Sequence, residues 1–459
     1  MKINSYICAL LSAFLLTACS DDFIDKEPIT QISTGNLYQT QEDAEAVLIS
    51  CYDGLQPDSY YGFDMLVYGD VRSDNCFAGG DNAANFQIDN FNVNPTNAII
   101  TRSFSQMYSA INRANTVLNR VEQMDEALFD TGRKEGILGE ALFLRGLHYF
   151  NLVRLFGDVP LVTTETTSLD PAQLNVSRTA QQEVYNQIIT DLLEAQSLLP
   201  DVPVDPERAA KGAAEALLSK VYLTLEDYPN VDVWTEAVMR RGYGLQTRFD
   251  NLFNQENKFN NEVIFAVRYL GDTEGNVFPE LVLPTPEASF DFIKFNTPTP
   301  NSINQFQGGD SRAASSFVQR NGESFLYKWR NGEAFQSADY TIVLRYADVL
   351  LMRAEALNQI NRTGDAIDLL NRVRLRAGLP NYGGQTDPVS VDDAIFQERR
   401  LEFMYEGHRW FDLKRKGFAA VTEALDESKD ISISEFELLL PIPQTELDRN
   451  PNLTQNPGY

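Results

Sequence analysis

The segment AEALNQINRTGDAIDLLNRVR, Ala354 to Arg374, decides the fold. Leading into it, Leu344, Ala347, Leu350, Leu351, Ala354 and Leu357 recur at spacings of three and four, the period of a helix with one buried face. Asn361-Arg362-Thr363-Gly364 interrupts the period, and Ala366, Ile367, Leu370 and Val373 restore it. The pattern predicts two helices joined by a short turn and packed as a hairpin, with the small alanines allowing close approach.

The same period returns upstream. Phe104, Met107, Tyr108, Ile111, Ala114, Leu118 and Val121 form one stripe, and Leu138, Ala141, Leu142, Tyr149, Leu152, Val153 and Phe156 a second. Ala210, Ala213, Ala214, Leu217, Leu218, Val221, Tyr222 and Leu225 form a third. The Ala354–Arg374 hairpin resembles a tetratricopeptide unit, which buries its apolar face only by stacking on the next unit. The expected fold is therefore mainly α: a helical-hairpin solenoid of about four pairs, carrying long insertions of loop and short strand.

Two regions lack the helical period. Residues 56–101 are rich in Asp, Asn, Gly and aromatics, and residues 244–337 mix strand-like runs, such as Glu262 to Tyr269, with proline. Pro279, Pro284, Pro286, Pro298 and Pro300 forbid a long helix there. Long non-helical insertions rich in aromatics are expected to fold and to carry the binding surface.

Composition narrows the setting. With 43% hydrophobic and 22% charged residues the 459-residue chain is of ordinary globular type. Its 38 Lys plus Arg against 65 Asp plus Glu give a formal charge of -27, which repels a phosphate backbone and excludes nucleic acid as a partner. Residues 1–18 read as a secretory signal, with Lys2 ahead of an apolar run from Ile7 to Leu16. The ending Leu16-Thr17-Ala18-Cys19 resembles a lipobox, so cleavage before Cys19 and its acylation would anchor the mature chain in a membrane. Residues 19–35 then form a tether and 36–459 a single domain. Cys8 leaves with the signal, so only Cys51 and Cys76 remain for pairing, and both read as free thiols.

Motifs for catalysis are missing. The only histidines are His148, set in an apolar helix and read as packing, and His408. There is no H-E-x-x-H, zinc-finger cysteine spacing, G-x-S-x-G, S-x-x-K, Walker A loop or G-x-G-x-x-G. No enzyme and no cofactor is expected. Calcium is conceivable at Asp70 to Asn75 or Asp81-Asn82, but without EF-hand spacing.

Three stretches resemble the SusD/RagB family of Bacteroidetes outer-membrane lipoproteins: EALFLRGLHYFNLVRLFGDVPL (140–161), ERRLEFMYEGHRWFDLKRKG (398–417) and the ending LPIPQTELDRNPNLTQNPGY. Ser20-Asp21-Asp22 behind the lipidated Cys resembles that group's signal for the outer face of the outer membrane. The resemblance implies a non-enzymatic capture protein, a hinged lid on a SusC-like TonB-dependent transporter, taking oligosaccharides or, in the RagB branch, peptides. The insertions would hold the nutrient and the helical face would meet the transporter. Arg399, Arg400, Glu402, Glu406, Arg409 and Asp412, with Trp410 and Phe411, read as a cluster that locks the fold.

A sugar offers a C–H face for aromatic stacking and hydroxyls for polar side chains. The candidate ligand residues are Tyr61, Asp70, Arg72, Asp74, Asn75 and Phe86 from the first insertion, and Phe292, Tyr327 and Trp329 from the second. Among these, Trp329 and Tyr61 are the expected stacking platforms, and Asp74 and Asn75 the expected hydroxyl partners. Tyr60, Phe63, Tyr68, Phe278 and Phe290 are further aromatics of the same regions. Arg312, Arg320, Lys328 and Arg330 would accept carboxylate or sulfate if they clustered.

Overall fold

The computed structural model describes residues 38–290 and 293–459. The signal, the tether at residues 19–35 with Cys19, residues 36 and 37 of the domain and the candidate Phe292 lie outside the described residues. Eight helices carry the framework: α1 (Gln41–Asp53), α2 (Ala98–Glu122), α3 (Arg133–Phe156), α4 (Gln181–Leu198), α5 (Lys211–Thr224), α6 (Tyr228–Met239), α7 (Tyr346–Gln359) and α8 (Thr363–Arg376). Each packs on the next in chain order, giving four successive helical hairpins. After them α9 (Pro388–Glu402) packs on α7 and α8, followed by α10 (Arg409–Arg415) and α11 (Phe418–Lys429).

Local chemistry sets the helix ends. Thr40 and Asp43 form a capping box at α1, the Asn97 side chain accepts the Ile99 and Ile100 amides at α2, and Asp387 accepts the Val389 and Ser390 amides at α9. Helix α3 is buried along almost its whole length because α2 and α4 cover it. A Cβ at Gly146 would stand 3.1 Å from Leu192 of α4, so glycine is what lets the two helices come so close.

The periodic stripe that begins at Leu344 is not helical throughout. Leu344 lies in a strand and the helix starts at Tyr346; both elements bury it, so spacing alone does not separate them. The strands are β1 (Cys76–Phe77), β2 (Val159–Pro160), β3 (Arg178–Thr179), β4 (Val263–Val267), β5 (Thr297–Pro298), β6 (Phe317–Arg320), β7 (Glu323–Leu326) and β8 (Thr341–Arg345). They form four antiparallel pairs: β1 with β5, β2 with β3, β4 with β8 and β6 with β7. Strand β4 is the expected run near Glu262–Tyr269, and its pairing with β8 ties the second insertion to the start of α7. The first insertion is more helical than its composition suggests: it holds Ala83–Asp89, capped by Asn82, and its last residues already belong to α2.

One apolar core runs from Ala44 in α1 to Ile442 near the C-terminus, with a satellite of Phe91, Trp410, Leu413, Val421 and Leu425. Cys51 and Cys76 are both buried free thiols. His148 is buried with Nδ1 2.9 Å from the Tyr60 hydroxyl, and burial pushes its pKa down to about 3, so it is a neutral packing residue. Among the described residues no helix is long and apolar enough to cross a membrane.

Candidate ligand-binding site

The polar residues expected to meet a ligand are used inside the protein instead. Both carboxylate oxygens of Asp74 accept from Arg409, at 2.8 and 2.9 Å, and Arg400 stands 2.9 Å away. Asn75 Oδ1 accepts from Arg400 Nε at 3.0 Å. Arg72 is sandwiched between the rings of Phe91 and Trp410 and donates to the Glu437 carbonyl in the C-terminal segment. Asp70 is buried, accepts the Gly407 amide at 3.0 Å, and has its pKa raised by burial. These four residues clamp the first insertion to the segment around α10. Asp74 and Asn75, expected as hydroxyl partners, and Asp70 and Arg72, expected as further ligand residues, are corrected to structural ones, since all four are buried and bonded within the protein.

The two expected platforms are likewise interior. Trp329 meets Phe278 edge-on at 4.5 Å, and the Tyr61 hydroxyl accepts from Asn151 at 2.9 Å. Tyr60, Phe63, Tyr68 and Phe278 are also buried. Tyr327 and Phe86 are half-buried; Tyr327 donates to Glu287 at 3.2 Å with Arg330 over its ring. Large aromatics gain most from burial, and that gain decides their place here.

The four basic residues of the second insertion do not cluster. Arg312 is buried among Asp310, Glu398 and Glu402 at 2.7, 2.6 and 3.2 Å, and Lys328 pairs with Glu406. Arg330 pairs with Asp250 and Arg320 with Glu287. The expected fold-locking cluster is real: Arg345 of β8 pairs with Glu262, Glu402 and Glu406, Arg376 of α8 with Glu262 and Glu402, and Arg399 of α9 with Asp348 and Asp412. Among the described residues no group of three or more His, Cys, Asp or Glu is placed to hold a metal ion, and the Asp70–Asn75 stretch is occupied by its arginines.

The accessible aromatics are others. Among the described residues four aromatic side chains are exposed, and three belong to the insertions: Phe77 (38%), Phe290 (45%) and Phe335 (38%). The fourth, Phe436, packs on Tyr459. Phe77 borders a hollow of about 330 Å³ with Lys294, Thr297, Asn304, Gln319 and Glu323. Phe335 borders a second hollow of about 230 Å³ with Asp58, Phe63, Asn82, Arg102 and Phe295. Lys294 and Phe295 are chain neighbours, so one backbone segment contributes a side chain to each hollow.

That segment is where the insertions are stitched together. The Gly79 amide donates to the Lys294 carbonyl at 3.0 Å, and Asn85 Nδ2 donates to the Phe295 carbonyl at 2.6 Å. Gly80 has φ +66°, and a Cβ there would stand 2.1 Å from the Ile293 carbonyl, so the contact requires glycine. Phe77 points out because Cys76 points in, as the alternation of a strand requires. Phe335 is presented by an unusual turn in which Glu333, Ala334 and Phe335 all have positive φ, 50°, 52° and 71°. Three such non-glycine residues in a row persist only under external constraint. Here the Gly332 amide donates to the Glu287 carbonyl and the Asn276 amide to the Ser337 carbonyl, both at 2.7 Å.

Both insertions are legible in the sequence as regions without the helical period, but Phe77 and Phe335 do not stand out within them. The alternating pair Cys76-Phe77 ahead of Gly79-Gly80 is the available signal for the first. Nothing in the local sequence marks the second.

Comparison with known proteins adds an independent line. The model of the SusD family matches residues 252–459, and a SusD-like model described as starch-binding and associating with the outer membrane matches residues 22–223. A laminarin-binding SusD-like protein of known structure is 30% identical, covers 92% of this chain and 100% of its own, and superposes with a TM-score of 0.80. The chain belongs to the SusD/RagB family. Two SusD-like proteins of Formosa agariphila are 26% and 28% identical over 99% and 100% of this chain and 99% of each relative. In this SusD-family chain two of the exposed aromatics, Phe77 and Phe335, border hollows to which the joining segment at Lys294 and Phe295 contributes.

Proposed function

We propose that this SusD-family protein captures an oligosaccharide or polysaccharide without cleaving it, at the hollows bordered by Phe77 and Phe335. The supporting observation is a pair of hollows to which the Lys294–Phe295 segment contributes, each bordered by an exposed phenyl ring and by side chains able to hydrogen-bond hydroxyls: Asn304 and Gln319 in one, Asn82 and Arg102 in the other. A pyranose presents an apolar face to such a ring and its hydroxyls to the rim. The similarity to a laminarin-binding protein agrees with this reading. In the cell the mature chain is held at the outer membrane through acylated Cys19 and passes its ligand to a SusC-like TonB-dependent transporter. The insertions face the nutrient and the helical row is left for that partner. Peptide capture is the weaker reading, because the basic groups that would receive a peptide carboxylate all have acidic partners.

Affinity electrophoresis of the chain from Ser20, in gels containing individual polysaccharides, tests the reading. Retardation in at least one gel, lost in Phe77→Ala/Phe335→Ala, is the expected outcome, with no new reducing ends released. Retardation that survives the double substitution places the ligand elsewhere, and release of reducing ends makes the protein an enzyme.

A further inference from the structure

We propose that the glycan is uncharged, and that Glu323 and Asp58 enforce this by neutralising the basic groups of the site. The inference rests on the glycan-capture reading. Two cations border the hollows, Lys294 and Arg102. Lys294 Nζ is 2.6 Å from Glu323 Oε1. Arg102 donates to buried Asp64 at 2.5 and 3.0 Å and to Asp58 at 3.2 Å. Two basic side chains therefore face three carboxyl groups, in a molecule whose overall charge is already -27. A uronate or sulfate ester entering either hollow finds no unmatched cation and must compete with a carboxylate already bound there. Neutral hydroxyls meet no such barrier, because a carboxylate accepts from them and a guanidinium or ammonium donates to them.

The two acids are expected to be dispensable for folding. The side chains of Glu323 and Asp58 are 55% and 54% exposed, and pairs of that kind contribute little to stability. Asp64, the buried partner that holds Arg102 in place, differs in that respect. Removing the two exposed acids leaves two basic side chains with the buried carboxyl of Asp64 alone.

The test compares gels containing laminarin, a neutral glucan, with gels containing alginate or carrageenan, at low and high salt. Four forms are run: the chain from Ser20, Glu323→Gln/Asp58→Asn, Phe77→Ala/Phe335→Ala, and the combination of all four substitutions. The unaltered site is expected to bind a neutral glycan at least about tenfold more tightly than either polyanion. Glu323→Gln/Asp58→Asn should gain salt-sensitive retardation by a polyanion, and the combined variant should lose it. Polyanion binding by the unaltered chain that requires Phe77 and Phe335 would overturn the inference while keeping glycan capture. Failure of Glu323→Gln/Asp58→Asn to gain polyanion binding would overturn the role given to the two acids. Absence of Phe77- and Phe335-dependent binding to any glycan would overturn the capture reading, and this inference with it.

Discussion

Asp74 and Phe77 lie three residues apart and have opposite fates. Asp74 meets Arg409, 335 residues further along the chain, in a buried pair, while Phe77 faces solvent at the rim of a hollow. A local reading finds acidic and aromatic residues in one insertion and assigns both to a ligand. Only the long-range pairing shows that the acid is already used. Breaking a buried pair strands its partner, so Asp74→Ala should lower the stability of the protein by about 3–5 kcal/mol. Urea denaturation measures that loss, and a titration of the remaining folded protein should show glycan affinity unchanged. A fall in affinity with little loss of stability would return Asp74 to the binding site.

Elements with a long amphipathic period are legible in the sequence; short ones are not. The α7–α8 hairpin follows from the spacing of its leucines and alanines, whereas β1 and β5 have two residues each and offer no period to read. Two glycines show how element packing separates otherwise similar substitutions. Gly364, in the first turn of α8, has ordinary helical backbone, and an added Cβ would meet nothing within 4 Å, so Gly364→Ala should stabilise by roughly 0.4–1 kcal/mol. Gly69 sits against the chain before α10, where a Cβ would stand 2.0 Å from the Gly407 carbonyl oxygen. Backbone cannot rotate away as a side chain does, so Gly69→Ala should cost at least about 1–3 kcal/mol. Thermal melts of the two variants should move in opposite directions.

At the scale of the whole molecule, ionic links close the structure. Arg345 and Arg376 bring β8 and α8 onto Glu402 at the end of α9, and Asp74 brings in the first insertion. The basic-acidic spacing in residues 398–417 makes the cluster legible, but not its partners Arg312, Arg345 and Asp348, which lie in other elements. The cluster predicts acid lability. Burial alone would raise the pKa of Glu406, but the charges of Arg345 and then Lys328 outweigh it and bring it down to about 2. The unfolded chain titrates near 4.3, so the folded state binds fewer protons between these values. The corresponding stability is present above about pH 4.5 and is lost as pH falls toward 2, on the order of 3 kcal/mol from this residue. Glu402, Asp348 and Asp412 are also held low, against the cost of burial, by neighbouring cations. Urea unfolding between pH 7 and pH 3 should show a steep decline below pH 4.5, shallower in Glu406→Gln; a flat profile would mean that the buried acids do not contribute through their charge.

The proposed glycan site draws on both insertions, and calorimetric titration with an oligosaccharide of whichever polysaccharide retards the chain in affinity gels measures it directly. Binding by the chain from Ser20 should weaken by at least about tenfold in Phe77→Ala/Phe335→Ala, with the melting temperature unchanged. Equal binding by the two forms would contradict the placement of the ligand on these rings.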